Sequence, residues 1–370
     1  MSLPHLTRRQ WGAHAASATA TAWVAVPMVG RAQPLSGGGE RIRVAVGGCK
    51  TLYYLPLVIA DALGFFRAEG LDVKLQDHAG GSLALQALQA GDADVCCGAY
   101  SHVLQAAIES SGTSSQQASP RALASAAPAA PLRSLVVLGR APQLALGAST
   151  RTWPWRSVTR FNGMRVGVSA PGSATQLLAS LWLGLAGAPL NEVHFVGVGS
   201  GMGAVTALRQ GAVHALCHAD PFMTLLEQRG EVRLLCDTRT LKGSSDLFTG
   251  PMPSACLYVP TAFTTQRPAQ VQALVNALVH ALKWLQTASP TDLVRALPAG
   301  YMMGDRGAYL AAFQRSRETL SPDGLMPDDG PATALRALAR LRPEIDASRV
   351  DLARTFTDAY ARKAKLKYAL

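Results

Sequence analysis

The chain has 370 residues, 48% of them hydrophobic and 16% charged, with a formal net charge of +11. That length and composition predict two globular domains with ample core and exclude a disordered or fibrous chain. The basic residues are dispersed, with no basic stripe interleaved with aromatics, so the positive charge argues for mild attraction of small anions and against a nucleic-acid surface.

The N-terminus reads as a targeting segment. Thr7-Arg8-Arg9-Gln10-Trp11 is a twin-arginine pair followed by an aromatic, a weakly apolar Ala-rich stretch runs from Trp11 to Val29, and Gly30-Arg31-Ala32 supplies small residues for cleavage. Residues 1–32 are therefore expected to be a signal peptide of the twin-arginine type, exporting the chain to the periplasm. The six cysteines, at 49, 96, 97, 217, 236 and 256, form no C-x-x-C pair and are expected to be free, buried thiols, with one disulfide left open.

From Arg41 the chain repeats a strand–turn–helix device. Ile42, Val44 and Val46 alternate, Gly47-Gly48 close the strand, and Leu55, Val58, Ile59, Ala62, Phe65 and Phe66 follow at helical spacing. Leu71–Leu75 is a second strand, and Gly80-Gly81-Ser82 leads into a helix over Leu83–Ala90. Ala93–Cys97 is a third strand, running through Gly98-Ala99-Tyr100-Ser101 into another helix. This βαβαβ succession requires parallel pairing. Residues 110–131, rich in Ser, Ala, Gln and Pro, read as a flexible insertion. Leu135–Leu138 reads as a buried strand and Arg151–Asn162 as irregular, with Trp153 and Trp155 packed on a domain edge.

A second βα series begins at Met164. Val166-Gly167-Val168-Ser169-Ala170-Pro171-Gly172-Ser173-Ala174-Thr175 reads as a strand end, a tight turn and a helix start. Leu177, Leu178, Leu181, Trp182 and Leu185 supply the buried face, and the Ser173 hydroxyl is the expected N-cap acceptor. First-turn amides at such a helix end hold an anionic oxygen without any basic side chain. Strand Val193–Val198, turn Gly199-Ser200-Gly201, a helix around Ala204–Gln210, strand Val213–Cys217, turn His218-Ala219-Asp220-Pro221 and strand Val232–Cys236 follow. Ala255–Val259 reads as a strand returning to the first domain, and helices are expected over 271–285, 305–319, 331–341 and 350–365.

The expected architecture is therefore α/β and two-lobed, with two parallel-sheet lobes joined by two crossing strands. Residues 41–138 with 254–370 would form lobe 1 and residues 139–253 lobe 2, around a cleft. Ligands of open parallel sheets sit beyond the carboxyl ends of the strands. The turns at 47–54, 80–82, 98–101, 169–175, 199–201 and 218–221 should open there. They supply the candidate ligand-binding residues: Cys49, Lys50, Thr51 and Tyr53 from the first, Gly81 and Ser82 from the second, and Tyr100 and Ser101 from the third. Ser169, Gly172, Ser173, Ala174 and Thr175 come from the fourth, with Ser200 and Asp220 from the last two. Ser82, Ser101, Ser173, Thr175 and Ser200 would be neutral donors and Lys50 a point charge.

Several stretches carry a resemblance. Tyr54-Leu55-Pro56, Ala60–Phe66, Glu69–Val73, Leu88–Val95, Gly163–Val168, Gln210–Val213, Ser321–Pro327 and Phe356-Thr357-Asp358 are together similar to the periplasmic solute-binding proteins of ABC importers for nitrate, sulfonates and taurine. The resemblance spans essentially all of 41–365. It implies a type II-like periplasmic binding fold, a small anionic ligand, a membrane permease and its ATPase as partners, a monomer, and no catalysis, cofactor or metal. His214, where the family often has Asp, departs from the pattern.

Other chemistries weigh less. Gly199-Ser200-Gly201-Met202-Gly203-Ala204 satisfies a nucleotide-binding pattern, but the helix after it is too short. His214, Cys217, His218 and Asp220 match no zinc spacing and are read as structural. The enzymatic alternative uses Cys49, beside Lys50 and a helix N-terminus and near His78, as a nucleophile. Aromatic sulfinate desulfinases, which break a C–S bond, resemble this fold and carry a cysteine in this turn. Asp220 keeps a pyrimidine-type or thiamine-precursor ligand as a further alternative.

Overall fold

The computed structural model describes residues 40–111, 130–153, 161 and 163–369. The expected leader, most of the 110–131 insertion, and Trp155 lie outside the described residues.

The strands are β1 (Ile42–Val46), β2 (Val73–Asp77), β3 (Val95–Ala99), β4 (Leu132–Val137), β5 (Leu144–Ser149), β6 (Arg165–Val168), β7 (His194–Gly197), β8 (Ala215–Ala219), β9 (Val232–Asp237) and β10 (Ala255–Pro260). They form two five-stranded sheets, ordered β2-β1-β3-β10-β4 and β7-β6-β8-β5-β9. The α/β class stands as expected, with one refinement. Each sheet is mixed, because β10 lies antiparallel to β3 and β4 in the first, and β5 antiparallel to β8 and β9 in the second. Both are strands by which the chain arrives from the other sheet, so neither is fed by a βα crossover.

Buried aliphatic side chains build these strands. In β1, Val44, Ala45 and Val46 are fully covered, and Val44 and Val46 sit in register with Val95 and Cys97 of β3. Sequence reading missed β5. Its residues Leu-Ala-Leu-Gly-Ala-Ser are all buried and four of the six are small, and a Cβ at Gly147 would already lie 3.0 Å from Met223 and Val232. Close approach, not apolar bulk, selects this strand's residues.

The two segments that pass between the sheets run side by side. The Leu138 amide donates to Ala255 at 2.7 Å, and the Ser254 amide to Gly139 at 2.9 Å. The long helix Pro268–Thr287 packs its buried Val271, Leu274, Val275, Leu278 and Leu282 face into the core. Helix Arg306–Ser316 extends towards the second sheet's helices, where Arg315 pairs with Glu227.

Three local expectations are corrected. Leu185 is 58% exposed, and Leu183 takes its buried place. The 350–365 helix is confined to Ala359–Tyr368, since Asp351 turns its carboxylate onto the Ala353 amide and caps only a short 3-10 turn over Leu352–Arg354. Ser173 occupies the N-cap position, but its hydroxyl donates to the Ala170 carbonyl at 2.7 Å and does not cap the helix.

Candidate functional site

The carboxyl ends of β1, β3, β6 and β8 face one another across the gap between the sheets, and the turns after them meet there. Each of the six turns singled out in the sequence contributes to one cavity. It is lined by Gly47, Thr51, Tyr53 and Tyr54, by Gly81, and by Ala99 from the first-sheet side. Ser169, Ser173, Ala174 and Thr175, then Ser200, then His218 and Ala219 line it from the second. His102 and Leu144 complete the wall. The volume is about 30 Å³, space for about two water molecules. A second chamber of about 20 Å³ shares Tyr53, Ala99, Leu144 and Ala174 with the first, and is otherwise largely apolar: Pro142, Leu177, Leu178, Phe248, Met252 and Pro253, with Ser101 and Ser254.

Two helices start at the main cavity. Gly81–Gln89 begins without a side-chain cap, as does Ala174–Leu185. The Leu83 and Gln176 amides bond the Gly80 and Ser173 carbonyls, the two amides before each have no carbonyl one turn earlier in the helix, and each helix end carries positive partial charge. No charged side chain lines the cavity among the described residues. Its electrostatics are those of two helix ends and two imidazoles.

The halves touch directly. The Ser82 hydroxyl donates to Pro171 O at 2.7 Å and lies 3.4 Å from the Ser173 oxygen. The Leu52 amide donates to Asp220 O at 2.8 Å. Glycines permit this approach: a Cβ at Gly80 would lie 2.7 Å from the Ala170 Cβ, and one at Gly48, where φ is +116°, would lie 2.5 Å from the Ser200 side chain.

Several expected donors are already committed. Ser82, outside the lining, donates to Pro171 O, Ser173 donates to Ala170 O, and the candidate Thr51 likewise donates to Gly48 O at 2.8 Å, so none of these three protons is offered to the cavity. Ser169 and Thr175 hydroxyls pair with each other at 3.0 Å. Ser101 lines the second chamber. Gly172, in the turn at φ +81°, gives its amide to Gln176. Three further candidates lie elsewhere. Lys50 is exposed, Tyr100 is buried against Thr355, and Asp220 is 1% exposed and bound to Arg239 at 3.1 Å. Arg239, itself fully buried, also holds Asp237 and Glu227, so Asp220 belongs to a charge network and not to the cavity wall.

Cys49 is buried and outside the cavity lining. Burial first, then the nearby Asp77 and Asp61 charges, push its thiol well up, so it stays protonated at neutral pH. Its amide and that of Gly48 are held by the Asp77 carboxylate. These surroundings raise a thiol pKa where a nucleophile needs it lowered, and so do not favour the C–S hydrolase alternative. All six cysteines are free. Among the described residues no His, Cys, Asp and Glu gather as a metal site.

Two histidines in the wall were missed as site residues. His218, read from sequence as structural, has Nδ1 3.1 Å from Ala219 O and Nε2 3.3 Å from Gly199 O, and burial lowers its pKa. His102 is 1% exposed. Its Nδ1 lies 3.2 Å from the Tyr258 hydroxyl, and its Nε2 is buried with no hydrogen-bond partner. Burial brings its pKa down to about 4, the Gly172 backbone opposing the shift only in part. The signal for His102 is its place one residue past the third turn.

The sequence matches the model of the NMT1-like family over residues 37–295. A solved protein from Bordetella bronchiseptica RB50 is 42% identical, with a TM-score of 0.82 over 89% of this chain and 98% of that one. The periplasmic nitrate-binding protein NrtA from Synechocystis PCC 6803 is 13% identical over 88% of each chain, with a TM-score of 0.66. The alkanesulfonate-binding protein SsuA from Xanthomonas axonopodis pv. citri, bound to MOPS, is 17% identical, with a TM-score of 0.59 over 86% of this chain and 98% of that one. The architecture is that of periplasmic binding proteins. No curated protein matches the sequence.

Proposed function

From the premise that the chain belongs to the NMT1-like family, we propose that it is the periplasmic solute-binding component of an ABC importer, binding a small anion such as nitrate, taurine or a short alkanesulfonate between its two sheets. The observation that carries this reading is the convergence of two uncapped helix N-termini on one cavity whose wall holds no carboxylate among the described residues. Both helix ends favour negative charge at the same point. The main chamber suits a small oxyanion, and the apolar second chamber lies where a short alkyl group would extend.

The proposed mechanism is closure. The two sheets act as the centres of two lobes, residues 41–138 with 254–370 and residues 139–253, hinged at the paired crossing segments. A cavity of this size admits ligand only when the lobes part. On closing, both helix ends face one anion, and the Ser82–Pro171 bond forms across the cleft. Ligand shifts the equilibrium by the difference in its affinity for the two states. The cycle calls for no nucleophile, base or metal. A permease and its ATPase would read the closed form, the chain acting as a monomer after export by its twin-arginine leader.

A thermal-shift screen of nitrate, ethanesulfonate, taurine, carboxylates, pyrimidines and amines tests the reading. Anions should raise the melting temperature by mass action. Stabilisation by amines alone, or by no anion in the panel, would overturn it.

A further inference from the structure

We propose that His102 is a ligand-contacting residue that sets specificity for hydrogen-bond acceptors, its Nε2–H donating to an oxygen of the anion held at the start of helix Gly81–Gln89. The inference deepens the anion-binding reading and rests on it.

Geometry supplies the first argument. His102 lines the cavity, and a Cβ built at Gly81 would stand 3.2 Å from the imidazole Cε1 and 4.0 Å from Nε2. The ring edge therefore sits directly over the uncapped helix start. Nε2 is buried and makes no hydrogen bond of normal length, and the Gly172 backbone beside the ring, which favours its protonated form, is the acceptor a ligand oxygen would compete with. A buried polar atom without a close partner is unfavourable, so such an atom in a cavity wall calls for a group that binds there.

Hydrogen-bond accounting supplies the second. Tyr258 is fully buried and needs an acceptor for its hydroxyl proton. The His102 Nδ1, at 3.2 Å, is the strongest acceptor within its reach, and the Cys96 sulfur beside it is a weak one. Tyr258 therefore donates to Nδ1, which places the proton of the neutral ring on Nε2. The cavity-facing nitrogen is a donor, and its complement is an acceptor: an oxyanion, not an amine or an alcohol proton. The ring remains neutral at physiological pH, since burial disfavours its charged form, so the contact is a directed hydrogen bond rather than an ion pair. It selects for an oxygen at one position and contributes little to anions that place none there.

The test uses the purified protein with sodium nitrate and ethanesulfonate as probes, followed by calorimetry and nitrogen-15 NMR of the histidine rings. In the wild type, the His102 Nε2–H tautomer should be present before ligand, and its Nε2 resonance should shift on saturation. His102→Gln places an amide donor near the Nε2 position and should retain affinity within about threefold. His102→Asn places one near Nδ1 only and should lose at least about tenfold. The NMR arm needs no variant, so misfolding of a substituted protein leaves the proposal open to refutation. An unmoved Nε2 resonance in an anion-saturated wild type, or full affinity in the Asn variant, overturns the role of His102 while the anion-binding reading stands. A wild type that binds neither probe nor any other anion overturns both.

Discussion

Replacing Gly80 with Ala probes closure at the closest approach of the two halves. Gly80 has φ −175° and ψ 161°, extended backbone that alanine adopts freely, so the ligand-free fold should change by less than about 1 kcal/mol. The new Cβ, however, would stand 2.7 Å from the Ala170 Cβ and 3.1 Å from the Ala170 amide nitrogen. Carbon atoms rest at about 3.5–4.0 Å, so the halves must stay apart by about 1 Å. That separation stretches the 2.7 Å Ser82–Pro171 contact beyond hydrogen-bond range and withdraws one helix end from the anion. Overpacking of this kind costs about 1–3 kcal/mol, charged here to the closed state alone, so affinity should fall by about 5- to 150-fold. Isothermal titration with ethanesulfonate measures the loss, and urea unfolding of the ligand-free protein measures the fold. Undiminished affinity would refute the closure argument. So would a fall in ligand-free stability as large as the loss in binding, because the clash would then be one the fold itself carries.

Three further outcomes are expected. The Cys49 thiol should resist iodoacetamide in the native protein and react after unfolding, and Cys49→Ala should leave anion affinity within about threefold, at a stability cost of about 1 kcal/mol; rapid native labelling would contradict the protonated, buried thiol. Arg239→Met strands Asp220, Asp237 and Glu227 around a lost buried cation and should lower the urea-unfolding free energy by about 3–5 kcal/mol, whereas a neutral result would show the network to be dispensable. His102 has a folded pKa of about 4 against about 6.5 in the unfolded chain, which takes up a proton the folded state refuses. Stability from this group is thus complete above about pH 6.5 and is lost as pH falls towards 4, by about 3 kcal/mol in all. His102→Gln should flatten that part of the urea-unfolding pH profile, and an unchanged profile would place the titration elsewhere.

The parts of the fold written in large, periodic residues were readable in the sequence. Val44 and Val46 alternate, Gly64 turns the chain at φ +74°, and the Val271–Leu285 stripe makes a long helix, so both βα series and the return strand near Ala255 emerge from pattern alone. β5 did not, because its small residues answer to the space beneath Met223 and Val232, which only the assembled sheet defines. The site divides in the same way. Turns that end parallel strands must converge, and all six do. What each side chain does within its turn depends on partners far along the chain. Ser82 spends its proton on Pro171, Asp220 is taken up by Arg239, Tyr100 by Thr355, and His102 faces the cavity because Tyr258 holds its other nitrogen. None of those pairings has a local signature.

The central claim, that the two halves close around one small anion, is tested most directly by titrating ligand-stripped protein with nitrate and ethanesulfonate in a calorimeter. The account predicts saturable binding of at least one of them, with one anion per chain and an affinity that Gly80→Ala weakens. Heats no greater than dilution for both anions, alongside saturable binding of an amine, would contradict it.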